Sequence, residues 1–412
     1  MKKILFILPC VPYPLTAGGN QAFFNMVEYI RHKMSVSLLL SPGNKEMNDV
    51  ESLRALWTNV DFYLFREEDA EPKTRCPRYY RWLKKMSESI SRKMQDDDII
   101  VRPTHLSICN ADQRYYQGLR EEHVLRQKLP MALIHEGIGV VLRDPSGEFE
   151  PGEEVVMIPN TPVEEDEFIA ENYLRSSKFR ASGFNGFMQE YVKIRKDRLV
   201  RLPQGINKEV AAFTEIVSVS VHAISRFDRF AHGRRNVVGI WGDGNLGYIT
   251  AVFFKTMFPD TKLYIFGVSK DKLSDFTFAD ATYQVSDIPE NMELDHAFEC
   301  VGGAGSGKAI DQIIDFIKPE GTISILGVSE YPVPINTRMI LEKGLRVFGS
   351  SRSGRVDFEK TVELYREHPE IINYLSNIVG AVIPVRSIAD MKKAFEMDIQ
   401  KSFGKTIMLW EK

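Results

Sequence analysis

The sequence contains little cysteine. Its 412 residues include four cysteines, Cys10, Cys76, Cys109 and Cys300, and none of them belongs to a C-x-x-C pair. This wide spacing argues against a disulfide framework and predicts a protein of the reducing cytoplasm.

Long apolar runs and an excess of basic charge are also missing. The longest apolar stretches, residues 4–11 and 35–40, fall far short of the about 20 residues that a membrane helix needs, so no membrane association is expected. The first of them lacks a convincing cleavage site after it and is interpreted as a strand. The net charge of -3 provides no positive field for nucleic acid. With 43% hydrophobic residues, the chain can fill two or three globular domains.

A glycine turn is the clearest local motif. Residues 237–247 read VVGIWGDGNLG, in which an apolar run ends at Gly242, Gly244 and Gly247, and a helical pattern begins at Asn245 and Leu246. A strand, a tight turn and a helix N-terminus in this order predict a dinucleotide site, with the diphosphate at the positive end of the helix. Strands and helices alternate from there to residue 351, which predicts a doubly wound parallel sheet.

Residues 96–215 have a different pattern. Short β segments separated by Gly and Pro at roughly ten-residue intervals predict a barrel-like β domain. Residues 214–227, TEIVSVSVHAISRF, are interpreted as a helix that leads to the glycine turn, and residues 352–412 as helix, strand, helix and strand.

Residues 1–95 begin with a strand, a loop, a helix and a second strand, which together predict a βαβ unit. With Gly18 and Gly19 in the loop, about 40 residues resemble the opening of a GT-B glycosyltransferase. No second nucleotide-sugar half follows, so we interpret the segment as a truncated fragment without activity of its own. Residues 75–93 are basic and aromatic, and we favour a solvated amphipathic helix over a nucleic-acid site.

Several motifs after residue 98 carry a second resemblance. In chain order they are Cys109, His135-Glu136, PGEEV (151–155), GFMQEYV (186–192), Leu202-Pro203, GDGNLG (242–247), AFECVGG (297–303) and GSSR (349–352). Together they resemble the zinc-dependent medium-chain dehydrogenase/reductase superfamily, and within it the ribulose-5-phosphate reductases. The resemblance implies a Rossmann domain over 216–351 and a GroES-like catalytic domain over 96–215 and 352–412.

The same resemblance implies an activity. It is the NADPH-dependent reduction of D-ribulose 5-phosphate to D-ribitol 5-phosphate, for CDP-ribitol and cell-surface polymer synthesis. It also implies a homodimer and a cytidylyltransferase acting in the same pathway.

Four residues are expected to form the metal site. Cys109, His135 and Glu136 supply the Cys, His and carboxylate ligands typical of a catalytic zinc, which polarises the ketone as a Lewis acid during hydride transfer. Glu215 stands where related polyol dehydrogenases have an acidic residue near the metal. The usual cysteine lobe of a structural zinc is replaced by residues 162–182, so one zinc per chain is expected.

Two departures from the superfamily concern this site. Ala111 stands where a Ser or Thr commonly relays the proton, which leaves the general acid unassigned between water, Tyr115 and a ribose hydroxyl. Ile134 replaces the usual glycine before the His-Glu pair, a change expected to leave ligation unaffected.

Cofactor choice depends on the end of the second strand of the Rossmann domain. An acidic residue there would bind an NAD ribose, but the residue is Gly267, followed by Ser269 and Lys270. A turn with Ser and Lys and without a carboxylate can accept a 2′-phosphate, which favours NADPH. Arg114 and Arg352 are candidates to bind the substrate's phosphate or hydroxyls, although arginines also form purely structural ion pairs.

Three alternatives stay open at this point. One is a zinc-dependent dehydrogenase for another polyol, and the second is a glycosyltransferase. The third is an inactive fusion, because about 30 residues of the catalytic domain are replaced by the N-terminal segment, which would leave a sheet edge exposed.

Overall fold

The structure is a computed structural model in which residues 3–8, 18–40, 47–64, 98–401 and 403–412 are described. The chain divides into two compact units, Met1–Met94 and Gln95–Lys412. The basic segment 75–93 and the cysteines Cys10 and Cys76 lie outside the described residues. Among the described residues, no helix combines the length and apolar character required to span a bilayer.

The first unit contains a three-stranded parallel sheet. Its elements are β1 (Lys3–Leu8), α1 (Gly18–Arg31), β2 (Ser35–Leu40), α2 (Met47–Leu56) and β3 (Val60–Leu64). The strand order is β1-β2-β3. Val36 and Leu38 of β2 are buried together with Trp57, whose indole nitrogen donates a hydrogen bond of 2.6 Å to Glu28. The predicted βαβ unit is therefore confirmed, whereas its relation to glycosyltransferases stays a prediction.

The second unit contains a β-rich sheet and a parallel sheet. Its strands are β4 (Asp98–Ser107), β5 (Glu136–Arg143), β6 (Glu154–Met157), β7 (Asn160–Thr161), β8 (Lys178–Phe179), β9 (Val192–Arg195), β10 (Leu199–Arg201), β11 (Val237–Trp241), β12 (Lys262–Gly267), β13 (Ala281–Gln284), β14 (Leu294–Glu299), β15 (Ile317–Ile325), β16 (Arg346–Gly349), β17 (Val379–Val385) and β18 (Lys405–Trp410). Its helices are α3 (Asn110–Tyr116), α4 (Glu122–Lys128), α5 (Lys208–Ala211), α6 (Thr214–Phe230), α7 (Asn245–Met257), α8 (Lys270–Leu273), α9 (Ser306–Phe316), α10 (Thr337–Lys343), α11 (Arg355–Glu367), α12 (Glu370–Ser376) and α13 (Ile388–Gln400).

The β-rich sheet has the order β10-β6-β5-β4-β18-β17, and β9 also pairs with β4. Most of its pairings are antiparallel, with alternating burial along β4 that is typical of a sheet covering one core. The end of the chain returns to this sheet because β18 pairs with β4, with Ile407 opposite Ser107. The predicted GroES-like domain is confirmed as part of the fold, whereas the assignment of residues 352–412 to it stays a prediction that the pairing of β18 with β4 supports.

The parallel sheet has the order β13-β12-β11-β14-β15-β16. Numbered from the glycine turn, this is the 3-2-1-4-5-6 order of a doubly wound dinucleotide-binding fold, as expected. β11 is buried along nearly its whole length, as a central parallel strand must be. Strand order reverses between β11 and β14, and ligands of such sheets bind in the crevice at the carboxyl ends of these strands.

Helix α6 joins the two sheets. Val217, Val221 and Ile224 recur at helical spacing and are fully buried in the core shared with β11. The predicted domain boundary between residues 215 and 216 falls inside this helix, so the boundaries themselves stay predictions.

Candidate active site

Three of the predicted metal ligands lie together. Cys109 immediately precedes α3, Glu136 is the first residue of β5, and His135 comes directly before it. One ligand atom from each lies within 4.8 Å of the others. Glu136 is fully buried and His135 is nearly so. Because a thiolate, an imidazole and a carboxylate are the donors of catalytic zinc, the chemistry and spacing of this set fit that ion.

A fourth residue, Asp112, orients two of these ligands. It is fully buried. Its Oδ2 accepts the backbone N–H of Cys109 at 3.3 Å and lies 3.4 Å from Nδ1 of His135. A carboxylate at Nδ1 leaves Nε2 to face a metal. Burial alone would lower the pKa of His135, but Asp112 and Cys109 outweigh it and raise that pKa well above its ordinary value.

Lys405 neutralises Glu136. The Lys405 Nζ donates to Glu136 Oε1 at 2.9 Å and to the carbonyl of Ile108 at 3.0 Å. Glu136 Oε2 lies 2.8 Å from the same nitrogen without a hydrogen bond of good geometry, which leaves it free to face a cation. Burial opposes the charge on Lys405, yet Glu136 and Cys109 raise its pKa above the ordinary value. Neither Asp112 nor Lys405 was predicted from the sequence.

Glu215 lies beside this set rather than within it. It occupies the first turn of α6 and is 6% exposed. Burial and the charge of Glu136 raise the pKa of Glu215 to about 7, although His135 and Lys405 act in the opposite direction. Among the described residues, the three-ligand cluster is formed without it, and its role at the metal stays a prediction.

The backbone before His135 adopts an unusual conformation. Ile134 has φ of 69°, in the left-handed region that a β-branched residue rarely occupies. Its N–H donates to Asp112 at 2.9 Å, and its carbonyl accepts from Phe187 at 2.6 Å. These bonds hold the strained residue in place. Ile134, where related proteins commonly have glycine, therefore holds a strained left-handed conformation directly before the predicted ligand His135.

The glycine turn has the close contacts that only glycine allows. Gly242 has φ of 129°. A Cβ on Gly247 would lie 1.9 Å from the carbonyl oxygen of Gly242, so the helix can approach the strand only with glycine there. The side chain of Asn245 exchanges two hydrogen bonds, of 2.9 and 3.0 Å, with the backbone of Gly404, and Leu246 packs on the core. Because both side chains are engaged within the protein, Asn245 and Leu246 can contact a diphosphate only through their backbone.

A cavity opens between the glycine turn and the catalytic domain. Its volume is about 350 Å³, and Gly244, Asn245, Gln113 and Lys401 are among its lining residues. The cavity therefore lies between the start of α7 and α3, the helix that follows Cys109.

The loop after β12 is anchored by Asp243, another residue that our sequence analysis did not identify. The Asp243 Oδ2 accepts the N–H groups of Val268 and Ser269 at 2.8 and 2.7 Å. A Cβ on Gly267 would lie 2.6 Å from the Cβ of Asp243, which explains the glycine at the end of this strand. Ser269 caps α8, and Lys270 is exposed just beyond it.

The two predicted substrate arginines occupy different surroundings. The Arg352 guanidinium lies 4.8 Å from the ring centre of Phe179, and that ring lies 5.5 Å from the ring of His135. Arg352 is thus one aromatic ring away from the metal ligands. Arg114 is paired with Glu330 at 2.5 Å.

Comparison with known proteins agrees with this geometry. Residues 95–204 match the alcohol dehydrogenase GroES-like domain family, and residues 270–367 match the zinc-binding dehydrogenase family. The chain is 58% identical over 318 residues to a ribulose-5-phosphate reductase of Bacillus spizizenii, covering 77% of this chain and 93% of that protein. It is 53% identical to ribulose-5-phosphate reductase 1 of Staphylococcus aureus, covering 76% and 92%.

A solved structure supports the same assignment. The crystal structure of S. aureus TarJ in complex with NADPH has a TM-score of 0.70 and 48% identity, covering 77% of this chain and 92% of that one. The ligand set, the parallel sheet and these relatives all concern residues after the N-terminal unit. The chain therefore belongs, through residues 95–412, to the ribulose-5-phosphate reductase family of zinc-binding medium-chain dehydrogenases.

Proposed function

We propose that this protein reduces D-ribulose 5-phosphate to D-ribitol 5-phosphate with NADPH and one catalytic zinc. The observation that carries the proposal is the Cys109, His135 and Glu136 set, whose ligand atoms lie within 4.8 Å. It occurs in a chain 58% identical to a ribulose-5-phosphate reductase.

The residues around this set have separate tasks. The chemistry that zinc supplies when bound is Lewis-acid polarisation of the substrate ketone. Asp112 fixes the orientation of His135, and Lys405 balances the charge of Glu136 so that a buried carboxylate is tolerated there. Glu215, whose pKa is raised to about 7, can hold a proton on its carboxyl beside these ligands at neutral pH.

NADPH is placed by the parallel sheet. We assign the diphosphate to the backbone of Gly242, Gly244 and Gly247 with the start of α7, at Asn245 and Leu246. Ser269 and Lys270 follow a strand that ends in glycine, so no carboxylate from that position repels a 2′-phosphate. Arg114 and Arg352 are assigned to the phosphorylated ketose.

The surroundings of the enzyme follow from its chemistry. A phosphorylated sugar alcohol is a substrate for a cytidylyltransferase, and CDP-ribitol is a precursor of cell-surface polymer, so we place the reaction upstream of such an enzyme in the cytoplasm. We also propose a homodimer. β16 is at the edge of the parallel sheet, and Leu341, shortly before it, is 79% exposed. Light scattering of the purified chain tests this directly.

The activity is tested by following NADPH oxidation with three substrates: D-ribulose 5-phosphate, D-ribulose and D-fructose. We expect oxidation with the phosphorylated ketose, with kcat/KM at least about tenfold higher than for the other two, because a charged phosphate contact is worth 1.4 kcal/mol or more. Equal rates on D-fructose would indicate another polyol dehydrogenase. No oxidation with any ketose by the zinc-loaded chain would support the inactive fusion.

A further inference from the structure

We propose that Arg114 and Arg120 form the phosphate-binding subsite for the ketose, and that Glu330 occupies this subsite when no substrate is bound. The inference rests on the proposed function, because it assigns the phosphate of that substrate to a particular place. Arg120 and Glu330 carry no role in the assignments above.

The geometry has two arginines converging on one oxygen atom. The Nη1 of Arg114 lies 2.5 Å from Oε2 of Glu330, and the Nη1 of Arg120 lies 3.5 Å from the same atom. Arg120 is also held over the ring of Tyr115, with its guanidinium carbon 5.2 Å from the ring centre. The two cations are therefore fixed side by side around a single anionic position.

The charge at this position is incompletely balanced. Two guanidinium groups face one carboxylate, which leaves an excess of one positive charge. In addition, the Nε atoms of Arg114 and Arg120 are buried without a hydrogen-bond partner among the described residues. A phosphate monoester carries up to two negative charges and three acceptor oxygens. It matches two forked donors better than one carboxylate does.

The residues of this subsite come from two segments that adjoin the predicted metal and cofactor motifs along the chain. Arg114 is five residues after Cys109 along α3, a rise of about 7.5 Å at 1.5 Å per residue. Glu330 belongs to the segment that follows β15, and this segment contacts the glycines after β14. Gly303 N–H donates to the Val328 carbonyl at 2.9 Å, and the Ser329 hydroxyl donates to the Gly303 carbonyl at 3.1 Å. The ion pair of Arg114 and Glu330 therefore connects α3, which follows Cys109, to the segment that contacts the glycines after β14.

Glu330 can leave this position readily. It is 40% exposed at its side chain, and residues 326–336 form neither helix nor strand. An exposed ion pair of this kind is weak, so substrate phosphate can replace the carboxylate with little loss. Arg114 and Arg120 are less exposed, at 27% and 22%, and they stay in place to receive it.

The test compares D-ribulose 5-phosphate with unphosphorylated D-ribulose in the full chain loaded with zinc. Arg120→Met should lower the ratio of kcat/KM for the phosphorylated over the unphosphorylated ketose by about tenfold, because a charge-assisted hydrogen bond is lost. Arg120→Lys should recover part of that ratio. Arg126→Met is the matched control, since Arg126 on α4 is 78% exposed and its one ion-pair partner among the described residues is Glu122 on the same helix.

Inorganic phosphate provides a second measurement. As an inhibitor competing with D-ribulose 5-phosphate, it should bind several-fold more tightly to Glu330→Gln, in which the internal competitor has lost its charge, and more weakly to Arg120→Met. The proposal is overturned if Arg120→Met lowers both kcat/KM values equally, or if Glu330→Gln weakens phosphate. If the wild-type chain fails to reduce D-ribulose 5-phosphate, the proposed function fails instead.

Discussion

The two ends of the predicted active site, a metal end around Cys109 and a cofactor end at the glycine turn, are formed by different kinds of chemical groups. At the metal end, Asp112, His135, Glu136, Glu215 and Lys405 are all 6% exposed or less. At the cofactor end, the predicted site consists of glycines and backbone N–H groups, and the carboxylate of Asp243 accepts hydrogen bonds from the N–H groups of Val268 and Ser269. A substitution at the metal end should therefore act mainly by leaving a buried charge unpaired. A substitution at the cofactor end should act mainly by adding side-chain volume.

The largest effect is expected from breaking the buried ion pair at the metal end. Lys405→Met leaves Glu136 charged and unpaired, and it should lower the free energy of unfolding by about 3–5 kcal/mol. Denaturant unfolding measures this. The double variant Lys405→Met, Glu136→Gln should recover much of the loss, and a double variant no more stable than Lys405→Met would contradict the electrostatic explanation.

Removal of a metal ligand should come next. Cys109→Ser replaces a thiolate by a hydroxyl, and we expect zinc content to fall below one per chain and activity to drop by about 100-fold or more. Cys300→Ser is the control, because that thiol is buried beside Thr250 at the cofactor end, where burial raises the pKa of its thiol. Full zinc content and activity in Cys109→Ser would exclude it as a ligand.

At the cofactor end, Gly247→Ala tests the role of volume. The added methyl would meet the Gly242 carbonyl at 1.9 Å. Overpacking of this kind costs about 1–3 kcal/mol, so NADPH should bind about tenfold more weakly. Gly233→Ala is a matched control, since a Cβ there meets nothing within 4 Å. Quenching of protein fluorescence by NADPH measures both, and equal affinities would contradict the packing argument.

The effect that is smallest at neutral pH concerns a buried histidine of the parallel sheet. His296 on β14 accepts the Thr322 N–H at Nδ1, 3.1 Å away, and burial together with His232 lowers its pKa to about 4. Because the folded state binds the proton less well than the unfolded state, whose pKa is about 6.5, stability is complete above pH 6.5 and declines as the pH falls toward 4. The slope should be roughly 1 kcal/mol per pH unit.

His296→Gln is the control for that titration. Glutamine does not titrate, so the decline between pH 6.5 and 4 should flatten in thermal or denaturant unfolding. An unchanged slope would assign the pH dependence to other groups.

The metal end and the cofactor end also differ in how far the sequence alone could predict them. The glycine turn and the parallel sheet were predictable because their signals are local: glycine spacing, apolar runs and helical periods follow one another along the chain. Cys109, His135 and Glu136 were predictable through the family resemblance, and the structure brings them together.

The residues that the sequence did not predict are those whose partners lie elsewhere in the chain. Lys405 reaches Glu136 across 269 positions, only because β18 pairs with β4. Asp243 lies inside the glycine motif, but it acts on a loop 25 residues later. Asp112 could have been predicted from the sequence, because it is a carboxylate three residues after the predicted ligand Cys109 and on the same helical turn. The left-handed backbone of Ile134 could not have been predicted, because a β-branched residue favours the opposite conformation.

All the assignments above depend on one reaction, the transfer of hydride from NADPH to the ketone of D-ribulose 5-phosphate. This transfer can be followed with NADPH deuterated at the transferring position of its nicotinamide, the purified full chain and one equivalent of zinc. We expect ribitol 5-phosphate carrying one deuterium at C2, formed in a 1:1 ratio with the NADPH consumed. NADPH oxidation without deuterium in the product, or no ribitol 5-phosphate at all, would contradict it.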